Sequence, residues 1–181
     1  MIITKKIKGD NIYLQSLTLK NISKNYISWL NDKEINKFLE TRHSLHDRQS
    51  IKKFIINCNK SENTYLLGMF CSKTDNHIGN IKLGPIKIEH NLGYISLFIG
   101  NKNYLKKGIS TEAIKILSHY AFDNLNLNKL VAGMYSKNIK STKSFLKVGF
   151  KKEGLRKKHY KLDENYEDIL ELGLHKNDLK K

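Results

Sequence analysis

The spacing of apolar residues changes several times along the chain, and each change marks a predicted element. Residues 11–19 set Ile12, Leu14 and Leu17 inward and read as a first strand. Ile22, Tyr26, Trp29 and Leu30 then recur at helical spacing, followed by Ile35, Phe38 and Leu39. The polar stretch Glu40-Thr41-Arg42-His43 interrupts them, and Ser44-x-x-Asp47 offers a helix-capping start. Ile51, Phe54, Ile55 and Cys58 continue a second amphipathic helix from there. Residues 64–72 are almost continuously apolar (Leu66, Leu67, Met69, Phe70), as in a central strand covered on both faces.

A third strand, residues 77–88, alternates through Ile78, Ile81 and Leu83 until Gly84-Pro85 breaks the pattern. Residues 94–100 form a fourth. Ala113, Ile114, Leu117, Ala121 and Leu125 then mark a helix opened by Lys106-Lys107-Gly108-Ile109-Ser110. Residues 129–135 read as a strand, 139–148 as a short helix, and Gly149-Phe150 as its stop. Two last strands, 151–160 and 166–174, flank the turn Asp163-Glu164-Asn165. Strands clustered in the middle, with helices before and after, predict a mixed α/β fold.

Length and composition narrow this further. The 181 residues suit one domain spanning 1–181, with no repeat, no Ser/Gly linker and a single proline. Thirty-three Lys and Arg against 17 acids give a net charge of +16, which raises nucleic acid, membrane headgroups and anionic metabolites as partners. The Lys pairs (5–6, 52–53, 151–152, 157–158, 180–181) are scattered and carry no interleaved aromatic motif. A generally basic surface is therefore expected rather than a nucleic-acid reader. No apolar run reaches the roughly 20 residues that span a bilayer, and the first residues lack the features of a signal peptide. Cys58 and Cys71 have no C-x-x-C partner, and His43 and His46 have no third ligand at suitable spacing. A cytoplasmic protein without membrane partner or metal is the expectation.

Candidate chemistry concentrates around residues 94–113. A short basic loop containing Gly108 runs directly into a helix whose first N–H groups lack intrahelical acceptors, where the dipole also favours negative charge. Gly108 lets the backbone approach a phosphate without interference from a Cβ.

The order of strand, Tyr104-Leu105-Lys106-Lys107-Gly108-Ile109-Ser110-Thr111-Glu112-Ala113, helix, strand, Asn138-Ile139-Lys140-Ser141 and Gly149-Phe150 resembles the GNAT acetyltransferase superfamily. Trp29-Leu30-Asn31-Asp32, Ile78-Gly79-Asn80-Ile81 and the segment 156–160 extend the likeness, more narrowly to the RimJ/RimL-like branch. The resemblance implies one twisted, mostly antiparallel sheet, splayed between its fourth and fifth strands and flanked by about four helices. It implies acetyl-CoA as donor, with Lys106, Lys107, Gly108, Ile109 and Ser110 around the pyrophosphate. Pantetheine would run along Leu97, Phe98 and Ile99, and Asn138 and Ser141 would contact the cofactor arm near its sulfur. Monomer and homodimer both fit the family.

Two positions depart from the pattern. Phe145 stands where many relatives carry a tyrosine that protonates the departing thiolate, and Tyr94 stands where many carry a glutamate base. Ser141, one turn earlier, is the replacement expected at the sulfur. A lysine-like amine has a pKa near 10 and must lose a proton before it attacks. Glu40, His43 and His90 are the available bases, and Glu40 and His43 fall in the acceptor region of such folds. Arg42, Arg156, His159 and Tyr160 are expected to line the acceptor pocket, whereas Glu112 is expected to support the loop. The expected reaction is direct amine attack on the thioester. The expected acceptor is a small anionic amine such as a nucleotide-linked amino sugar, with a protein N-terminus as the alternative. A basic binding module without catalysis is the reading from a different class.

Overall fold

Alternating apolar positions are satisfied on both faces of one open, eight-stranded sheet in the computed structural model, which describes residues 1–180. Its strands are β1 (Ile7–Lys8), β2 (Ile12–Ser16), β3 (Tyr65–Cys71), β4 (His77–Lys87), β5 (Leu92–Ile99), β6 (Lys129–Tyr135), β7 (Lys151–Leu162) and β8 (Asn165–His175). They lie in the order β1-β2-β3-β4-β5-β6-β8-β7, and every neighbouring pair is antiparallel except β5 with β6. The helices are α1 (Lys24–Asn31), α2 (Lys33–Asn36), α3 (Arg48–Lys60), α4 (Ile109–Asp123) and α5 (Ile139–Val148).

Side chains of successive strand residues point to opposite faces, so each central strand feeds two cores. Leu14, Leu67, Met69, Ile81 and Ile95 pack on one face with Ala113, Ile114 and Leu117 of α4 and Phe145 and Val148 of α5. Tyr13, Leu66 and Phe70 pack on the other with Tyr26 and Trp29 of α1 and Ile51 and Ile55 of α3. That double burial explains the near-continuous apolar run of β3. Each fully buried aliphatic side chain contributes about 1.5–3 kcal/mol by leaving water.

Several local expectations change in the fold. A short β1 precedes the first predicted strand, so the strands read as fourth and fifth in the sequence are β5 and β6 here. The long first helical pattern divides at Asp32, whose extended backbone ends α1 and whose carboxylate caps Glu34 (2.8 Å) and Ile35 (3.4 Å) to start α2. Five helices result instead of four. Asp47, rather than Ser44, caps α3: it accepts from the Ser50 N–H at 2.7 Å, and Ser50 Oγ accepts from the Asp47 N–H at 3.0 Å. Gly84-Pro85 does not end β4. The peptide bond is cis, and a register shift between Leu83 and Ile86 absorbs it while the strand continues to Lys87.

Candidate active site

The one parallel pair in the sheet creates a slot. β5 and β6 pair only at Leu92–Lys129, Gly93–Leu130 and Tyr94–Val131, while β5 stays paired with β4 up to Gly79–Ile99. Beyond Tyr94 the β6-facing edge of β5, through Leu97, Phe98 and Ile99, therefore has no strand partner. Alternate peptide groups on such an edge need hydrogen-bonding partners, which an extended amide-bearing ligand can supply.

The loop at the end of that slot is shaped for an anion. Lys106 (φ 62°) and Gly108 (φ 78°) both hold left-handed backbone, and Gly108 is the first capping residue of α4. No side chain caps this helix, so the amides of Ile109 and Ser110 are not consumed. A Cβ placed on Gly108 would meet nothing within 4 Å, which is the open space a pyrophosphate requires. Lys106 and Lys107 are exposed beside it. Glu112, one turn into α4, faces away and clamps the β1–β2 turn. Its carboxylate accepts from the N–H groups of Asn11 (2.8 Å) and Ile12 (3.2 Å) and from Asn11 Nδ2 (3.1 Å). It ties α4 to the β1–β2 turn rather than bonding the loop itself.

At the start of α5, Asn138 Oδ1 accepts from the Ser141 N–H at 3.3 Å. The cap engages the Ser141 backbone and does not use its hydroxyl. Phe145 is 2% exposed and packs edge-on against Phe150 with ring centroids 4.9 Å apart. Its ring completes the core and offers no proton.

Leu97, Phe98, Asn138, Ser141 and Phe145 open onto a cavity of about 760 Å³ between the splayed strands, α1, α3 and the β7–β8 hairpin. Of the residues expected around the acceptor, Glu40, Arg156, His159 and Tyr160 line it, as does Tyr94. Arg42 stands just behind the wall. His43 is exposed in the 3-10 turn Glu40–His43, and His90 is exposed in the 3-10 turn Ile88–His90; neither lines the cavity. His46 lines it instead, with Nε2 bonded to the Thr41 carbonyl (2.8 Å) and its backbone N–H held by Asn31 Oδ1 (2.9 Å). A ring nitrogen facing a carbonyl must carry the proton, so Nδ1 of His46 is the basic atom.

Sequence reasoning passed over Tyr135, the last residue of β6, which organises this wall. Its hydroxyl donates to Glu40 Oε1 (2.5 Å) and accepts from Arg42 Nη2 (2.8 Å). Arg42 Nη1 reaches the same Oε1 at 3.1 Å, and Arg42 Nη2 also donates to the Lys161 carbonyl (2.7 Å). Both donors fall on Oε1 of Glu40. Burial, then the Glu40 carboxylate, push the Tyr135 phenol above its usual range against the opposing pull of Arg42, so it stays protonated at neutral pH. Phe38 (5.9 Å) and Tyr160 (6.2 Å) flank the Tyr135 ring, and His159 stacks beside Tyr160 at 4.5 Å. No local pattern marks a strand-terminal tyrosine as functional; only the pairing of β6 with β8 and the return of residues 38–42 bring these groups together. Arg156 Nη2 pairs with Glu171 at 2.5 Å on the adjoining rim. Among the described residues no group of three His, Cys, Asp or Glu is placed to hold a metal, and no helix is long and apolar enough to cross a membrane.

The chain belongs to the acetyltransferase (GNAT) domain family, whose model matches residues 11–151. It is an acyltransferase that uses acetyl-CoA. Among characterised sequences it is 29% identical over 169 residues to a probable N-acetyltransferase, YjcK, of Bacillus subtilis, covering 90% of this chain and 92% of that one. Two solved structures share the fold. Mycobacterium smegmatis RimJ in complex with CoA-disulfide superposes with a TM-score of 0.81 at 15% identity, over 94% of this chain and 84% of that one. The microcin C7 self-immunity acetyltransferase MccE, in complex with acetyl-CoA and AMP, gives 0.79 at 22% identity, over 92% and 93%.

Proposed function

We propose that this enzyme acetylates a small primary amine carried on a phosphate-bearing aromatic group, a nucleotide-linked amine. The observation that carries this reading is the character of the acceptor wall: aromatic rings (Phe38, Tyr135, Tyr160, His159) beside carboxylates already neutralised by arginine. Arg42 offsets the charge of Glu40 and Arg156 that of Glu171, so the wall has no surplus of negative charge for a polycation, although Oε2 of Glu40 stays free to meet a single amine. Aromatic faces suit a planar base, and adjacent cations suit its phosphate. The AMP bound in MccE is consistent with such an acceptor on this fold.

In the proposed mechanism the cofactor's pyrophosphate rests on the amides of residues 106–110, with Lys106 and Lys107 adding charge. Its pantetheine lies along the free edge of β5. A β5 N–H near Leu97 or Phe98 donates to the thioester oxygen, and such a donor is worth a few kcal/mol as the oxyanion develops. Glu40, with Oε2 uncommitted, takes the proton of the incoming ammonium. The neutral nitrogen then forms the new C–N bond, the C–S bond breaks, the nitrogen gives up its second proton to solvent to leave the neutral amide, and the Ser141 hydroxyl hydrogen-bonds the departing thiolate until solvent protonates it. His43 and His90, exposed away from the cavity, are not assigned a step.

A matched set of amines tests this reading: a nucleotide-linked amino sugar, an aminoacyl nucleotide analogue, spermidine and a short peptide with a free N-terminus. Thiol release should show kcat/KM for a nucleotide-linked amine at least about tenfold above the others, the discrimination one good charge-assisted contact supplies. A peptide or spermidine as the best substrate would overturn it.

A further inference from the structure

The acceptor cavity has a polar floor that the reaction above does not use. Asn80 and Lys82 alternate on β4, so both side chains rise from the same face, where Asn80 neighbours Phe98 and Lys82 neighbours Ser96 across the β4–β5 pair. Tyr26 of α1 comes down on that face, and all three residues line the cavity.

Their hydrogen-bonding roles follow from their partners. His77 is caged by Trp29 (5.1 Å), Phe70 (5.0 Å) and Tyr26 (5.6 Å), and its Nε2 faces two acceptors, the Gly79 carbonyl (3.1 Å) and Asn80 Oδ1 (2.8 Å). Nε2 therefore carries the proton and fixes the Asn80 amide with its oxygen toward His77 and its NH2 directed away. That NH2 is buried and has no hydrogen-bond partner, on a residue only 4% exposed. It lies near enough to the Tyr26 oxygen to pull the phenol's pKa down. Burial nevertheless dominates and raises it well above the usual range, so Tyr26 remains a donor. Lys82 forms no ion pair among the described residues, and the cavity's two carboxylates are already held by arginines. A buried donor left without an acceptor costs about 1–3 kcal/mol, and such a group calls for a functional reason.

We infer that Lys82, the Asn80 amide and the Tyr26 hydroxyl form a subsite for a phosphate oxygen of the acceptor. All three donors line the same cavity, and its two carboxylates, Glu40 and Glu171, are paired with arginines. The cation offsets the ligand's charge, and the two neutral donors supply the directed hydrogen bonds an anion needs away from water. The inference rests on the proposed acceptor class and gives its phosphate a place. His77 is a positioning residue, since it acts only by fixing the Asn80 amide.

The test uses protein saturated with CoA, so that the pyrophosphate loop is filled, and inorganic phosphate as the probe, titrated by calorimetry. The wild type should bind one phosphate. Lys82→Met should weaken binding at least about tenfold, and so should Asn80→Asp, which keeps an oxygen for His77 but turns the donor into an anion. CoA affinity should stay unchanged in both, and Lys82→Met should keep the wild-type melting temperature, whereas the carboxylate buried by Asn80→Asp is expected to lower it. No phosphate binding by the wild type, or equal binding by Lys82→Met, overturns the subsite. Acceptor kinetics separate this failure from that of the acceptor class. If Lys82→Met acetylates a nucleotide-linked amine with unchanged KM, the subsite falls and the acceptor class stands. If phosphate binding is lost as expected but no nucleotide-linked amine is acetylated by the wild type, the subsite stands and the acceptor class falls.

Discussion

On α5 the serine Ser141 lines the cavity, and the residue one turn later is the buried Phe145. A hydroxyl is a weak proton donor, so in the proposed mechanism Ser141 would stabilise the leaving group by hydrogen bonding rather than by full proton transfer. Ser141→Ala should lower kcat about tenfold while leaving the acetyl-CoA dissociation constant within about twofold, since only the transition-state contact is lost. Stopped-flow acetyl transfer beside calorimetric binding measures both, and a change confined to binding would assign Ser141 to the cofactor arm alone. The same scale shows where sequence reasoning reaches and stops. Glu40 was recognisable because its polar loop interrupts two helical patterns. Tyr135 was not, because its role depends on Arg42, 93 residues away in sequence. His46 and His43 are three apart and were equivalent as letters, and only the Asn31 clamp turns His46 to the cavity.

Among the elements, the junction of β5, its loop and α4, where the proposed mechanism seats the cofactor, was the most legible. A glycine and lysines before an amphipathic helix state an anion site in local terms. The backbone adds that Gly108 is left-handed with open space before it. Gly108→Val should cut acetyl-CoA affinity at least about tenfold, from both the strained φ and a side chain where the pyrophosphate sits. Intact affinity in calorimetry would remove the loop from the cofactor site. Less legible elements share one cause, dependence on distant partners. The two-residue β1 exists only by pairing with β2, and β4 passes Gly84-Pro85 because β5 continues beside it, pairing Gly93 with Ile86 and Leu92 with Lys87. The split between α1 and α2 could be read locally from Asp32, a good capping residue, but the apolar spacing masked it.

Over the whole molecule the net charge of +16 is spread across the surface, and its functional consequence depends on where acids are already paired. The cavity keeps Lys82 without an ion pair among the described residues while arginines pair with Glu40 and Glu171, so Lys82 is the cation left there to meet an anion. The splayed pair β5–β6 opens onto the cavity from one side, and α1, α3 and the β7–β8 hairpin wall it on the other. The most direct test of this account is a crystal structure of the ternary complex with CoA and AMP. The account predicts the AMP base against Tyr135 and Tyr160 and its phosphate within hydrogen-bonding distance of Lys82, the Asn80 amide and Tyr26. A CoA-filled slot with AMP bound elsewhere on the basic surface, or absent from the acceptor cavity, would contradict it.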